Sequence, residues 1–234
     1  MIFRQLFEPQ SSTYTYLVGC PKTGEAALID PVLETVERDL AVLAELGLAL
    51  KYTIETHIHA DHVTGTARLR ERTGSKAAVP EQSGATTCDV PVREGETLAV
   101  GTLSIEPLYT PGHTDDHHAY LLRSEGGARV FTGDALLIDG CGRTDFQGGD
   151  AATLYRSLHE KIFSLPDDTL VYPGHDYQQR RVSSVAQERL RNPRLGGGKT
   201  VEEFVAIMAG LNLPRPAKMD VAVPANRLCG ERAN

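Results

Sequence analysis

The sequence has few cysteines. The four in its 234 residues lie far apart, at Cys20, Cys88, Cys141 and Cys229. No two of them form a C-x-x-C pair, so neither a disulfide scaffold nor a zinc ribbon is indicated. We therefore expect mostly buried free thiols in a reducing compartment, and we predict a cytoplasmic location.

Long apolar runs and clusters of basic residues are also absent. No run of eighteen or more apolar residues occurs, and the first ten residues, MIFRQLFEPQ, lack the basic and apolar regions of a signal peptide. The formal net charge is −7 and the basic residues are dispersed, so the sequence indicates no basic patch that could bind nucleic acid. We expect a soluble protein that is not exported and that binds neither nucleic acid nor a membrane.

Hydrophobic periodicity predicts a mixed order of strands and helices. The hydrophobic content of 41% is ordinary for a globular protein and allows a sizeable core. The predicted strands are 3–7, 14–19, 26–31, 50–56, 118–123, 129–133 and 169–175, with further strand structure in 97–110 around a break at Gly101. The predicted helices are 33–47, 64–74, 150–165 with Asp150 as N-cap, and 200–211 with a capping box from Thr200 to Glu203. This order indicates an α+β fold in which two packed sheets are covered by helices.

A dense cluster of imidazoles and a carboxylate follows the strand at 50–56. The stretch ETHIHADHVTG places His57, His59, Asp61 and His62 within six positions. In an extended segment His57 and His59 point the same way, and Asp61 can join them. Packed groups of like charge need a cation, and imidazole with carboxylate suits zinc or iron. The cluster therefore predicts a metal site.

Three further donors follow predicted apolar runs. His113 lies in TPGHTDDHH, Asp134 in VFTGDALL and His175 in VYPGHDY. Strand ends of one sheet can converge on one cleft, so we expect these residues to complete the metal site.

The remaining histidines receive no ligand role. His117 and His118 are interpreted as exposed loop residues, and His159 as a structural residue of an amphipathic helix.

The order H-x-H-x-D-H, then a later His, an Asp and a final His, resembles the metallo-β-lactamase superfamily over nearly the whole chain. The resemblance implies an αββα sandwich of two mixed sheets with the metal at one edge. It also implies a single domain over 1–234, with a C-terminal helical or extended segment from about residue 183.

Longer stretches narrow the resemblance. Three stretches are similar to the persulfide dioxygenase family: FTGDALLIDGCGRTDF with its continuation to residue 177, FEPQSSTYTYLVG near the start, and MDVAVPANRLCG near the end. In the related glyoxalase II hydrolases, GCGR is usually followed by aromatic residues, and their helical glutathione-binding extension has no clear counterpart here. The resemblance implies an oxidoreductase of sulfide oxidation that converts glutathione persulfide and O2 to sulfite and glutathione.

The same resemblance implies one non-haem Fe(II) per chain, held by His57, His113 and Asp134. The resemblance also implies a second set of residues, which lie around these ligands and orient them: His59, Asp61, His62, His175 and Asp176. Spacing alone would include His59 among the ligands equally well, and all seven positions of a two-metal site are present. Two alternatives therefore stay open: a glyoxalase II-like hydroxyacylglutathione hydrolase with two zinc ions, and a nonenzymatic metal or redox sensor.

Two residues are candidates for contact with the substrate. Arg143 in GCGRTDF could pair bidentately with the carboxylates of glutathione, and the competing interpretation is a salt bridge to Asp145. The Tyr177 hydroxyl could donate a hydrogen bond to oxygen or water at the iron, which makes Tyr177 both a catalytic and a substrate-binding candidate. An ordinary packed tyrosine is the alternative.

Cys141 receives no chemical role, because free cysteines are usually buried and inert. A homodimer is a possible oligomeric state.

Overall fold

The computed structural model describes residues 1–231, which form two six-stranded mixed sheets. The first sheet contains, in spatial order, β1 Ile2–Glu8, β2 Thr13–Gly19, β3 Glu25–Ile29, β4 Ala49–Ile54, β5 Lys76–Pro80 and β6 Val90–Val92. The second contains β7 Leu98–Val100, β8 Leu103–Tyr109, β9 His118–Ser124, β10 Gly127–Gly133, β11 Leu170–Pro173 and β12 Ser183–Ser184, also side by side in chain order. Strands β3 to β6 pair in parallel, as do β10 and β11, whereas all other neighbours are antiparallel.

Helices cover the outer faces of the two sheets. They are α1 Val36–Glu45, α2 Thr66–Thr73, α3 Ala151–Ser157 with a π-helical continuation Leu158–Ile162, α4 Val185–Arg191, α5 Val201–Ala209 and α6 Met219–Arg227. Leu43 of α1 and Leu69 of α2 pack on the first sheet. Leu154 of α3 and Phe204 of α5 pack on the second.

An aromatic core joins the two sheets. Tyr16 of the first sheet lies 5.0 Å from Phe131 of the second, and Phe3 lies 5.0 Å from Tyr172, measured between ring centroids. The buried Tyr16 hydroxyl donates to the carbonyl of Pro173 at 2.5 Å, so its polar atom is satisfied inside the apolar layer. This layer between the sheets, with helices outside, confirms the expected αββα sandwich.

The longer predicted elements are confirmed. Asp150 caps α3 by accepting from the Thr153 amide at 2.7 Å, and the capping box from Thr200 to Glu203 is present. The segment 97–110 divides into β7 and β8 at Gly101, whose φ of 59° only glycine adopts easily. The strands β5, β6 and β12 and the helices α4 and α6 were not among the predicted elements.

The expectation of mostly buried free thiols fails for two of the four cysteines. Cys88 and Cys229 form a disulfide across 141 residues of sequence, with their Cα atoms 6.0 Å apart. Folding brings the segment after β5 against the end of α6, a proximity that cysteine spacing could not show. Cys20 and Cys141 are buried free cysteines, as expected.

The interpretation of His117 and His118 as exposed loop residues is also wrong, because both side chains are fully buried. His118 begins β9, and its amide donates to the carbonyl of Thr56 at 2.8 Å. His117 lies 2.9 Å from the Thr110 hydroxyl and stacks on the His57 ring at a centroid distance of 5.1 Å. His159 packs on Tyr155 at 3.8 Å between centroids, in keeping with a structural role.

Candidate metal centre and its pocket

The ends of several strands meet at one edge of the sandwich. The histidine cluster follows β4, His113 precedes β9, Asp134 follows β10 and His175 follows β11. Because β10 and β11 are parallel, their carboxyl ends lie at the same edge of the second sheet. The first sheet joins this edge through the Tyr14 amide, which donates to the Gly174 carbonyl at 2.8 Å. The structure therefore brings these donors to one edge of the sandwich.

Three donor atoms lie together at the base of this edge. They belong to His57, His113 and Asp134, and the three atoms lie within 4.8 Å of one another. His113 Nε2 is 3.7 Å from Asp134 Oδ2, and the rings of His57 and His113 are 4.9 Å apart. His57 is buried, whereas the side chains of His113 and Asp134 are 12% and 17% exposed, so one side of the trio is accessible. The trio coincides with the ligand set that the resemblance implies.

Hydrogen bonds set the tautomers of both histidines. His113 Nδ1 lies 2.7 Å from the Arg143 carbonyl, which can only accept, so Nδ1 carries the proton. The Thr56 hydroxyl donates to Asp30 Oδ2 at 2.9 Å and therefore accepts from His57 Nδ1 at 2.9 Å. In both rings Nε2 is then free to bind a cation, and such bonds to the other nitrogen are typical of metal-ligating histidines.

The ionisation of the trio suits a cation. Burial, together with the neighbouring imidazoles of His59 and His113, holds the pKa of His57 well below its usual value, so its ring is neutral. Burial opposes ionisation of Asp134, but attraction and a 2.6 Å hydrogen bond from His175 Nδ1 outweigh it and lower the pKa of Asp134. Two imidazoles, each with a free Nε2, and one carboxylate therefore face one point, and this donor set fits a first-row transition metal.

His175 connects the trio to the histidine cluster. Its Nε2 lies 3.0 Å from Asp61 Oδ2 while its Nδ1 donates to Asp134. Burial disfavours the charged ring, but the carboxylates of Asp134 and Asp61 raise the pKa of His175 well above its usual value. His175 thereby orients Asp134.

A second group of donors consists of His59, Asp61 and His62, again within 4.8 Å of one another. His59 Nε2 donates to Asp30 at 3.1 Å and lies 3.5 Å from Glu55, so these carboxylates fix its ring. Among residues 1–231, His59 Nδ1 and His62 Nε2 are buried without a hydrogen-bond partner. Two imidazole nitrogens are thus available in this second group.

Asp30 and Thr56 support the site, and neither of them was among the predicted site residues. Asp30 is 1% exposed, has a left-handed φ of 49° and accepts from the Thr56 amide at 2.7 Å as well as from the Thr56 hydroxyl. A signal was available, because Asp30 directly follows the apolar run AALI as Asp134 follows VFTG. Both carboxylates stand at strand ends.

The trio opens into a cavity of about 840 Å³. Its wall combines apolar side chains such as Phe146 and Leu213 with the guanidinium groups of Arg143 and Arg194. This volume lies within the range of small-molecule sites. The donors therefore lie at the base of a pocket large enough for a substrate of tripeptide size.

The structure separates the roles of two neighbouring candidates in this pocket. Tyr177 is 77% exposed and lies 6.3 Å from His175 between ring centroids, so its hydroxyl is free at the rim. Asp176 is buried and pairs with Arg180 at 3.0 Å, and its Oδ1 accepts from the Gln178 amide at 2.8 Å. Tyr177 can contact a ligand, whereas Asp176 supports the wall.

Two arginines of the wall differ in their partners. Arg143 binds Asp145 through two hydrogen bonds of 2.6 and 2.8 Å, the competing interaction foreseen from the sequence. It also lies over the Phe146 ring at 4.4 Å. Arg194 donates to the Cys141 carbonyl at 2.8 Å and has no carboxylate partner in the part of the chain that the structure describes. Arg194 is therefore the guanidinium with more charge available to a ligand.

Comparisons with known proteins agree with this architecture. The family model "Metallo-beta-lactamase superfamily" matches residues 9–175. The chain is 51% identical over 231 residues to "Persulfide dioxygenase ETHE1, mitochondrial" of Homo sapiens, which covers 98% of this chain and 89% of the relative. It is 40% identical over 167 residues to a hydroxyacylglutathione hydrolase of a Polaromonas species, covering 70% of this chain and 62% of that protein. The crystal structure of ETHE1 from Myxococcus xanthus superimposes with a TM-score of 0.94 at 56% identity, covering 99% of this chain and 100% of that one.

Proposed function

The chain belongs to the metallo-β-lactamase superfamily and, within it, to the persulfide dioxygenases; from this premise we propose that it oxidises glutathione persulfide with O2 to sulfite and glutathione at His57, His113 and Asp134. The observation that carries the proposal is the geometry of this trio. Its donors lie within 4.8 Å of one another, buried on one side and open to a pocket on the other.

We propose one Fe(II) per chain as the cofactor. Two histidines and one carboxylate on one face, with positions left open, are typical of non-haem iron oxygenases. A ferrous ion held there would activate O2, while the terminal sulfur of the persulfide supplies the four electrons that O2 accepts and water supplies the third oxygen of sulfite. The Arg143 carbonyl and the Thr56 hydroxyl hold the two ligand rings in the required tautomers, and His175 holds Asp134 as a carboxylate.

The pocket supports a glutathione persulfide as substrate. Its apolar wall at Phe146 and Leu213 excludes water from one side, and Tyr177 at the rim can donate a hydrogen bond to the substrate or to water. Glutathione carries two carboxylates, which match the guanidinium groups of Arg143 and Arg194. Holding the tripeptide in this way places its terminal sulfur near the trio.

The two arginines give a prediction about substrate affinity. We expect Arg194→Met to raise the KM for glutathione persulfide roughly 10–100-fold, because a charged hydrogen bond contributes about 1.5–3 kcal/mol. We expect Arg143→Met to raise KM less, since Arg143 is already paired with Asp145. In both variants kcat should change little, because the lost contact is the same in the ground and transition states. Steady-state oxygen uptake at varied substrate concentration measures both constants.

A matched control is Arg189→Met, which removes an arginine paired with Asp167 outside the pocket wall. Its KM should equal that of the wild type. An Arg194→Met variant with the control's KM would remove Arg194 from substrate recognition, and the same result for Arg143→Met would do so for Arg143.

The runner-up function is a two-metal hydroxyacylglutathione hydrolase. The second donor group of His59, Asp61 and His62, with its two unpartnered nitrogens, is the observation that favours it. We propose instead that His59, Asp61 and His62 orient the iron site together with His175, while Asp176 supports the pocket wall beside it, because carboxylates or backbone groups already hold several of their polar atoms.

Oxygen uptake by protein purified without air and loaded with ferrous iron separates the candidate functions. We expect one iron per chain, oxygen consumption on addition of glutathione persulfide and no thiol release from S-lactoylglutathione. Thiol release without oxygen uptake, with two metal ions per chain, would establish the hydrolase. Bound metal with neither reaction would establish the sensor.

The cellular location and the oligomeric state are further proposals. No helix in residues 1–231 is long and apolar enough to cross a membrane. The human relative is named mitochondrial, whereas the sequence of this chain predicts a cytoplasmic location, which stays a prediction. The homodimer and the assignment of the segment from about 183 to the same domain stay predictions as well.

A further inference from the structure

The C-terminal helix α6 reaches the loop that carries the histidine cluster. Asn226 of α6 is 3% exposed, and its Nδ2 donates to the carbonyls of His59 and His62, both at 2.9 Å. Its Oδ1 accepts from the Thr64 amide at 2.9 Å. Since the carbonyls only accept and the amide only donates, these partners fix the orientation of the side-chain amide. One side chain thus satisfies three backbone groups of a loop that has no regular secondary structure.

These three bonds matter because the loop cannot satisfy its own backbone. Residues 55–63 between β4 and α2 form neither helix nor strand, so their buried polar groups need partners from elsewhere. Asn226 contacts this loop at 59 and 62 and the adjoining Thr64, across the turn that follows the ligand His57. Its position in the chain, 164 residues after His62, makes it a long-range contact.

A covalent link holds the end of α6 in this place. Cys229, three residues after Asn226, is 1% exposed and bonded to Cys88. Both cysteines belong to an apolar cluster with Ile58, the residue between His57 and His59. Gly230 follows in a left-handed conformation with φ 82°, and a Cβ there would lie 2.6 Å from the Thr64 carbonyl oxygen. Helix end and loop are therefore packed without space between them.

We propose that Asn226 is a positioning residue of the metal centre and that the Cys88–Cys229 disulfide holds it in register. Asn226 fixes the backbone of the loop, and the loop in turn fixes where His57 presents its free nitrogen. This inference rests on the proposed metal site. It predicts that the C-terminal helix controls how tightly the trio retains a metal, although α6 contributes no ligand.

The test compares wild type with Asn226→Asp, which keeps the size of the side chain and the acceptor for Thr64 but removes both donors. Thr200→Ala is the matched control, because it removes the N-cap of α5 and costs roughly 1 kcal/mol of stability without contacting the loop. Each protein is loaded with Fe(II) and mixed with a ferrous chelator, and the rate of iron release is recorded beside the melting temperature. We expect Asn226→Asp to release iron about tenfold faster or more, the cost typical of losing an orienting partner.

Thr200→Ala should lower the melting temperature and leave the release rate at the wild-type value. Equal release rates for wild type and Asn226→Asp would overturn the inference, and so would a release rate that rises in proportion to lost stability in both variants. A wild-type protein that binds no iron would instead overturn the proposed function, so the two failures are distinguishable.

Cys88→Ser tests the role of the disulfide. It removes the link and leaves Asn226 unchanged, so we expect an iron-release rate between those of wild type and Asn226→Asp. A Cys88→Ser protein that releases iron at the wild-type rate would show that the noncovalent packing of α6 is sufficient, and the part of the proposal that concerns the disulfide would be wrong.

Discussion

His113→Ala should lose both its bound iron and its oxygen consumption. The trio offers three protein donors, and His113 is one of the two imidazoles whose Nε2 is left free by a hydrogen bond at Nδ1. Two remaining donors cannot hold the ion in a fixed geometry. The loss should exceed the roughly 10–100-fold that follows removal of an orienting partner, because a ligand itself is removed. Metal analysis and an oxygen electrode, applied to the same anaerobic preparation, measure both quantities.

His159→Ala provides the control for this variant. His159 is also a partly buried histidine in a packed environment, stacked on Tyr155, but it lies outside the pocket wall. It should retain one iron per chain and normal oxygen uptake. A His113→Ala protein that binds iron as tightly as this control would mean that the ion is held elsewhere, with the group of His59, Asp61 and His62 as the next candidate.

The sequence predicts where the site lies better than it predicts which of its residues bind the metal and which orient the ligands. Strand ends mark His57, Asp134 and His175, because a polar residue directly after a buried strand emerges at the edge of the sheet. The separation of His57 from His59 was not predictable from spacing, since both residues face the same way in an extended segment. In the folded chain Asp30 and Glu55 hold Nε2 of His59. Glu55 is a local partner, four residues before His59, but Asp30 follows β3 and lies 29 residues before His59, so a local pattern around His59 carries no information about it.

The missed features of the fold share one physical cause. The strands β6 and β12 have three and two residues, which is too short for alternation of apolar and polar side chains to be visible. His117 and His118 follow two aspartates and therefore look like loop residues, yet pairing of β9 with its neighbours buries them. The Cys88–Cys229 bond and Asn226 depend on contacts across more than a hundred residues. In each case tertiary contacts determine the outcome, and a short window of sequence does not contain them.

Asp30→Ala should damage both the folding and the metal site. Asp30 accepts from the Thr56 amide at 2.7 Å, from the Thr56 hydroxyl at 2.9 Å and from His59 at 3.1 Å, all inside the protein. Removing one partner of a buried charged network typically costs about 3–5 kcal/mol, because the groups left behind stay unpaired. The free energy of unfolding from urea titration should fall by this amount. Asp150→Ala, which removes the N-cap of α3, should cost only about 1 kcal/mol.

Asp30→Asn separates the two effects of Asp30. The amide keeps the shape of the side chain and tolerates the left-handed φ of 49°, so most of the packing is retained. It lacks the charge and one of the two acceptor oxygens, so either the Thr56 hydroxyl or the Thr56 amide loses its partner. If the hydroxyl then turns to donate toward His57, Nδ1 of that ring can no longer carry the proton, and Nε2 is no longer free for iron. We therefore expect Asp30→Asn to lose less stability than Asp30→Ala, but to release iron roughly 10–100-fold faster than wild type in the chelator assay. An Asp30→Asn protein that retains iron like the wild type would show that Asp30 supports the fold alone, and that the tautomer of His57 is set without it.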